Sequence, residues 1–187
     1  MNLIHATRDG RLDGIVLRVV CDRPEAPVLE QARALGIPVT VLLPLGEGAR
    51  LAPEAEESLQ SLVVAERPHL VALCGFMRLL RGAFLSRVGV PVVNVHPSLL
   101  PRFRGLNAQR QAIEAGAGET GVTVHFVDAG MDTGPIVLQR SLSIRPGESV
   151  DELTARLLPH EHETYVEALR RLQEGDPMIR SEQALRD

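Results

Sequence analysis

The sequence predicts an α/β fold, and three observations carry that prediction. Short runs rich in Val, Ile and Leu alternate with stretches whose apolar residues recur at helical spacing. Pro and Gly punctuate the boundaries between them. One apolar run, V-V-N-V-H-P at Val92–Pro97, ends on a polar pair, Asn94 and His96. Open α/β sheets bind ligands beyond the carboxyl ends of their strands, which is where such a pair would sit.

The chain opens on a helix-like piece, Asn2–Arg8. Gly14–Cys21 reads as a strand stopped by Asp22-Arg23-Pro24. Pro27–Leu35 has helical spacing and stops at Gly36. Pro38–Leu43 is a second strand. Pro53–Glu66 is a helix with Pro53 in its first turn and Leu59, Leu62 and Val63 on one stripe. His69–Cys74 is apolar enough for a strand buried on both faces, and Arg78–Val88 reads as helix. After the strand holding Asn94 and His96 come a short helix, Asn107–Ala115, and an alternating strand, Gly121–Asp128. Its Val122, Val124 and Phe126 share one face, and Thr123, His125 and Val127 the other. The loop Ala129–Gly134 leads to a strand at Ile136–Ile144. A long final helix, Val150–Gln173, carries Val150, Leu153, Leu157, Tyr165, Leu169 and Leu172 on one stripe, with Pro159 expected to kink it. The order implies a Rossmann-like, mostly parallel sheet extended by antiparallel strands.

At 187 residues the chain is read as one domain, 1–187, long enough to bury a proper core. A net charge of −4 argues against a nucleic-acid scaffold, which would carry a basic stripe. No run approaches the roughly 20 apolar residues of a membrane span, and no signal peptide opens the chain, so a cytoplasmic protein is expected. Cys21 and Cys74 lie in apolar runs and are read as buried small hydrophobes in a reducing compartment.

Three groups carry the chemistry: Asn94, His96 and Asp132. Asp132 lies in G-M-D-T-G-P, flanked by Gly130 and Gly134. Singly, each has an ordinary use, as a turn-capping carboxylate, a loop histidine or a strand-end amide. Together they suit attack of an amine on a carbonyl-level carbon. Asn94 and protonated His96 would donate to the oxyanion, while the carboxylate would favour the imidazolium and collect a proton from the amine. No metal is expected, because His96 and His125 lack ligand partners at zinc-like spacing and His160 and His162 point to different helix faces. Glu161 falls on the apolar stripe of the last helix, so it should be paired or aimed at a ligand.

These motifs resemble the folate-dependent formyltransferases. The matching text is N-V-H-P-S-L-L-P at Asn94–Pro101, Gly105, Q-A-I at Gln111–Ile113, and T-G-V-T-V-H-F-V at Thr120–Val127. D-T-G-P-I at Asp132–Ile136, Gln139, A-L-C-G-F-M-R-L-L at Ala72–Leu80 and E-H at Glu161-His162 complete it. The resemblance covers nearly the whole chain. It implies that an amine, that of glycinamide ribonucleotide in de novo purine biosynthesis, attacks the formyl group of the cosubstrate 10-formyltetrahydrofolate. By the same resemblance Asn94 and His96 polarise the formyl oxygen, and Asp132 holds His96 charged and assists proton removal. Met77, Arg78, Leu79, Leu80 and Asn94, with Ala129, Gly130, Met131 and Asp132, would cradle the folate. Asn2, Pro97 and Glu161 would meet the nucleotide, and Thr123 and His125 would support the reacting groups from behind. The implied partners are these small molecules, with no nucleic acid and no membrane, for a monomer or homodimer.

Relatives within the family that act on an aminoacylated RNA usually bring a C-terminal RNA-binding domain, and those that hydrolyse formyl-folate an N-terminal regulatory domain. H-P-S-L-L-P with V-H-F-V favours the nucleotide-formylating branch over both. Hydrolysis of formyl-folate and a non-catalytic folate-binding remnant are the alternative functions. The family normally begins with a strand and a glycine-rich phosphate loop, and here the resemblance starts at Asn2, as if in the tail of that loop.

Overall fold

The computed structural model describes residues 1–44, 46, 48, 50–80 and 82–175. The elements run α1 (Asn2–Arg8), β1 (Val19–Cys21), α2 (Pro27–Ala34), β2 (Val39–Val41), α3 (Pro53–Glu66), β3 (Val71–Leu73), α4 (Gly82–Val88), β4 (Val92–His96), α5 (Ala108–Glu114), β5 (Glu119–Phe126), β6 (Ile136–Ser143) and α6 (Val150–Glu174). The chain forms two compact units, Met1–Val71 with Phe76–Pro91 and Ala72–Gly75 with Val92–Asp187. Its strands fall into two sheets, β1-β2 and β3-β4-β5-β6.

In the first unit Pro27 and Pro53 occupy the first turns of α2 and α3, where a missing N–H costs nothing and the fixed φ suits the helix. β1 and β2 pair in parallel, Val19 opposite Val39 and Cys21 opposite Val41. Leu29, Leu42, Ala55 and Phe84 are among its fully buried side chains. The strand expected over Gly14–Cys21 is only Val19–Cys21, because β2 offers a partner of three residues. Ile15, left without a neighbour, is 80% exposed. The helix expected from Arg78 begins at Gly82. Leu79 instead forms a parallel bridge with Arg50, and the Arg78 guanidinium is held by Asp22 at 2.8 Å and by the Gly48 carbonyl, so residues 78–79 are committed elsewhere.

In the second unit β4 pairs antiparallel with β5, and β5 with β6. α6 is started by a full capping box: Ser149 accepts from the Glu152 backbone N–H, and the Glu152 carboxylate accepts from the Ser149 N–H. The helix continues through Pro159, and Gly175 closes it in the left-handed conformation. Leu153 and Leu157 pack with Val122, flanked by Val95, Ile113, Leu142 and Ile144, so α6 covers the valine face of the sheet. The Tyr165 hydroxyl lies 3.0 Å from the Leu73 carbonyl and 3.1 Å from that of Val93, tying α6 to two strands.

Two further expectations differ. β3 is half-buried, not buried on both faces, and its strand ends before Cys74. Cys74 is exposed and Cys21 half-buried, so neither is the fully buried small hydrophobe expected.

Thr120 and Thr164 are fully buried, and their hydroxyls have no hydrogen-bond partner among the described residues. An unsatisfied buried hydroxyl costs about 1–3 kcal/mol. Thr120→Val, nearly the same shape without the polar atom, should therefore raise stability by about 1 kcal/mol. A rise in the urea midpoint at unchanged slope is the expected reading.

Candidate active site

The opposite face of the β4–β5–β6 sheet is polar. Asn94 lies directly opposite His125, His96 opposite Thr123, and Gln139 on β6 also opposite Thr123. Residues facing each other across an antiparallel pair share a face, so five polar side chains gather on one side. β5 and β6 lose register between Val124 and His125, leaving Val137 unmatched. Such a bulge bends a strand and re-aims its neighbours, here beside His125.

The segment after β4 folds back over this face. The Thr123 hydroxyl donates to the Ser98 carbonyl at 2.6 Å and accepts from the Leu100 N–H at 3.1 Å. Gln139 Nε2 donates to Thr123 Oγ1 at 2.8 Å and to the Leu100 carbonyl at 2.9 Å. Ser98 Oγ donates to the Arg102 carbonyl at 2.6 Å.

Both histidines are oriented by main-chain carbonyls. His96 Nε2 is 2.8 Å from the Phe103 carbonyl, and His125 Nδ1 is 2.8 Å from the Phe126 carbonyl. A carbonyl only accepts, so each of these nitrogens carries the proton. The other nitrogens turn toward Asp132: His96 Nδ1 lies 3.5 Å from Oδ2 and His125 Nε2 3.6 Å from Oδ1. Asn94 Nδ2 is 3.4 Å from His125 Nε2. The three residues singled out from sequence therefore converge, with His125 as a fourth member.

Asp132 reaches this position through a tight loop. Asp128 Oδ1 accepts from the Gly130 N–H at 3.0 Å and the Thr133 hydroxyl at 2.6 Å. Asp132 itself adopts a left-handed backbone, φ 52°, which aspartate tolerates better than most residues. At Gly134 a Cβ would stand 1.9 Å from the Phe126 carbonyl oxygen, so only glycine fits. The Gly105 N–H donates to Asp132 Oδ2 at 2.8 Å. Burial opposes ionisation of this carboxyl. The bond to His125, the Gly105 N–H and the charges of His96 and His125 outweigh it and hold the pKa down to about 2. Among the described residues no group of three His, Cys, Asp or Glu side chains is placed to hold a metal ion.

Glu161 sits half-buried on α6, and no hydrogen bond or ion pair reaches its carboxylate among the described residues. Burial alone pushes its pKa upward. Pro97 follows His96 at the start of the loop, and Met131 is exposed over Gly105, where a Cβ would meet its sulfur at 3.0 Å. Asn2 and Met77–Leu80 belong to the first unit. There Met77 and Leu79 are exposed, Leu80 is buried and Arg78 is ion-paired, so the side chains of Arg78 and Leu80 are already committed. The sequence reading gave no role to the Phe103 carbonyl, the Gly105 N–H or the amides of Gln111 and Gln139. Both glutamines fell within matched motifs, which was the only signal available.

An α/β fold with an Asn–His–Asp set at the end of a strand and in a glycine-bounded loop is the architecture of a formyl transferase, and the chain belongs to that family. The family's profile, described as formyl transferase, matches residues 1–169. The phosphoribosylglycinamide formyltransferase of Bacillus subtilis (strain 168) is 35% identical over 173 residues, covering 91% of this chain and 86% of its own length. The trifunctional purine biosynthetic protein adenosine-3 of Drosophila melanogaster is 40% identical over 182 residues; the match takes in 96% of this chain and 13% of that longer protein. In structure, glycinamide ribonucleotide transformylase 1 from Symbiobacterium toebii superposes with a TM-score of 0.84 at 40% identity, covering 93% of this chain and 81% of its own.

Proposed function

We propose that this chain moves the formyl group of 10-formyltetrahydrofolate to the amine of glycinamide ribonucleotide. The observation that carries the reading is the ionised Asp132 carboxylate set between His96 and His125, with the Asn94 amide beside them. The names of the relatives support the glycinamide ribonucleotide and the formyl group, and the resemblance to the folate-dependent formyltransferases supports the folate donor.

The residues divide the work as follows. The amine lone pair forms the new C–N bond, and the carbonyl electrons move onto the formyl oxygen. Asn94 Nδ2 and the Nδ1–H of His96 donate to that oxyanion; His96 Nε2 is committed to Phe103. Asp132 accepts the proton lost by the amine, directly or through water. Collapse of the adduct re-forms the carbonyl and breaks the bond to the folate nitrogen, which takes its proton from His96. Met77–Leu80 and the Ala129–Gly134 loop are proposed to contact the folate, with main-chain groups serving at Arg78 and Leu80. Asn2, Pro97 and Glu161 are proposed to contact the nucleotide.

The test is formyl transfer measured with and without glycinamide ribonucleotide. Nucleotide-dependent transfer is expected. Formate release without nucleotide would assign hydrolysis instead, and folate binding without turnover would assign a binding remnant.

Glu161 gives a prediction of its own. Its folded-state pKa lies above the unfolded value, so the ionised form is disfavoured by folding, and stability falls as pH rises through the carboxylate range. Glu161→Gln should therefore melt slightly higher at pH 7 while raising KM for the nucleotide roughly tenfold, the loss of about 1.4 kcal/mol of binding. An unchanged KM would remove Glu161 from the nucleotide site.

A further inference from the structure

The geometry points to Gln111 as a positioning residue for the Asp132 carboxylate, acting through the main chain of the loop that precedes α5. This inference rests on the formyl-transfer reading for its consequence, but not for its geometry. Gln111 lies on the short helix α5, away from the reacting groups, and its amide looks at first like surface decoration. Its Nε2 donates to the Arg104 carbonyl and to the Leu106 carbonyl, both at 2.9 Å. Those carbonyls flank Gly105, whose N–H is the main-chain donor to Asp132 Oδ2 at 2.8 Å.

One amide thus grips the Arg104–Gly105 peptide unit, whose N–H touches the carboxylate, and the Leu106–Asn107 unit just beyond it. Gly105 sits at φ 76° and the neighbouring Phe103 and Asn107 at 57° and 58°, so this stretch makes three left-handed excursions within five residues. Such a backbone has little regular hydrogen bonding of its own and is held by what reaches it from outside. Among the described residues the side-chain grips on Arg104 and Leu106 both come from Gln111, while His96 holds the Phe103 carbonyl, Ser98 the Arg102 carbonyl and Gln139 the Leu100 carbonyl further upstream. Removing the Gln111 donors frees the Arg104 and Leu106 carbonyls and lets the Gly105 N–H swing off the carboxylate.

Around Asp132 the other charged or titratable groups are His96 from β4, His125 from β5 and, within its own loop, Asp128. The histidines hold the carboxylate from the sheet side and the Gly105 N–H from the loop side. Loss of the loop-side donor leaves Asp132 ionised at neutral pH but less tightly held, with freedom to turn away from His96.

The experiment compares the full chain with Gln111→Met, which keeps the length and loses both donors, and with Gln111→Glu, which keeps the shape and also loses them. The carboxyl carbon of Asp132 is titrated by NMR, and steady-state transfer is measured alongside. Both variants should move the Asp132 midpoint upward by about one pH unit and lower the exchange protection of the Gly105 amide at least tenfold. Where formyl transfer is measurable, kcat should fall about tenfold with KM for both substrates within twofold and the melting temperature nearly unchanged. A merely structural glutamine would lower the melting temperature without moving the Asp132 midpoint, and that result overturns the inference. If the parent chain fails to transfer formyl at all, the functional reading falls, while the titration and amide exchange still decide the role of Gln111.

Discussion

Asp132→Asn lowers kcat for formyl transfer by roughly a hundredfold or more and leaves folate affinity within a few fold. The substitution keeps the shape of the side chain and one oxygen for the Gly105 N–H. It removes the negative charge that faces His96 and His125 and the carboxylate proposed to take the amine's proton. Loss of a single electrostatic contributor to an oxyanion site typically costs on the order of a hundredfold or more, and here a proton acceptor goes with it. Steady-state kinetics with a parallel folate-binding titration checks it. Near-normal turnover would sink the role assigned to Asp132.

The same substitution has a signature in acid. A carboxyl held near 2 in the folded chain and close to 4 when unfolded stabilises the fold at every pH above about 4. That contribution, about 2 kcal/mol, is lost as pH falls through 4 toward 2. Asp132→Asn lacks it throughout, so the variant should be less stable than the parent at pH 7, and the gap should close below pH 3. Denaturant melts at pH 7, 4 and 3 read this directly.

Thr123→Val carries the largest expected cost in stability. The hydroxyl is fully buried and takes part in three hydrogen bonds, to Ser98, Leu100 and Gln139. Valine matches its volume, so little is lost in packing. The Ser98 carbonyl and the Leu100 N–H would be left facing a methyl group inside the protein. At about 1 kcal/mol for each net bond, with a further penalty for stranded partners, a loss of about 3 kcal/mol is expected. It should appear as a lower denaturant midpoint. The contrast with Thr120→Val is instructive: the same substitution three residues away, on the other face of β5, removes a hydroxyl with no hydrogen-bond partner among the described residues, and the expected sign is opposite.

Local rules placed much of this architecture correctly. The bounds of α1 and α3 follow from the sequence as read, because Pro53 fixes one helix start and apolar spacing fixes its extent. β4 also falls where alternation and Pro97 put it, which is why Asn94 and His96 were legible as a pair. Elements that rely on a neighbour fared differently. Gly14–Arg18 has the composition of a strand but pairs with no strand among the described residues, and Arg78–Leu79 has helical spacing but is claimed by Asp22 and Arg50. Strand pairing and ion pairing between residues dozens of positions apart leave no local trace.

The candidate site shows the same division. By itself the sequence determined the fold class and the family's motifs and made Asn94, His96 and Asp132 candidates, since reactive residue types at strand ends and between glycines are visible in one dimension. Only the tertiary structure decided how those groups are aimed. Which nitrogen of His96 is free depends on the Phe103 carbonyl, and how firmly the Asp132 carboxylate is held depends on His125 and on a Gly105 N–H brought in from another loop. The grip of Gln111 and Gln139 acts on main-chain atoms, which every residue possesses and no side-chain pattern records. Hydrogen bonds to backbone are chosen by geometry rather than by residue type, and that geometry exists only once the chain has folded.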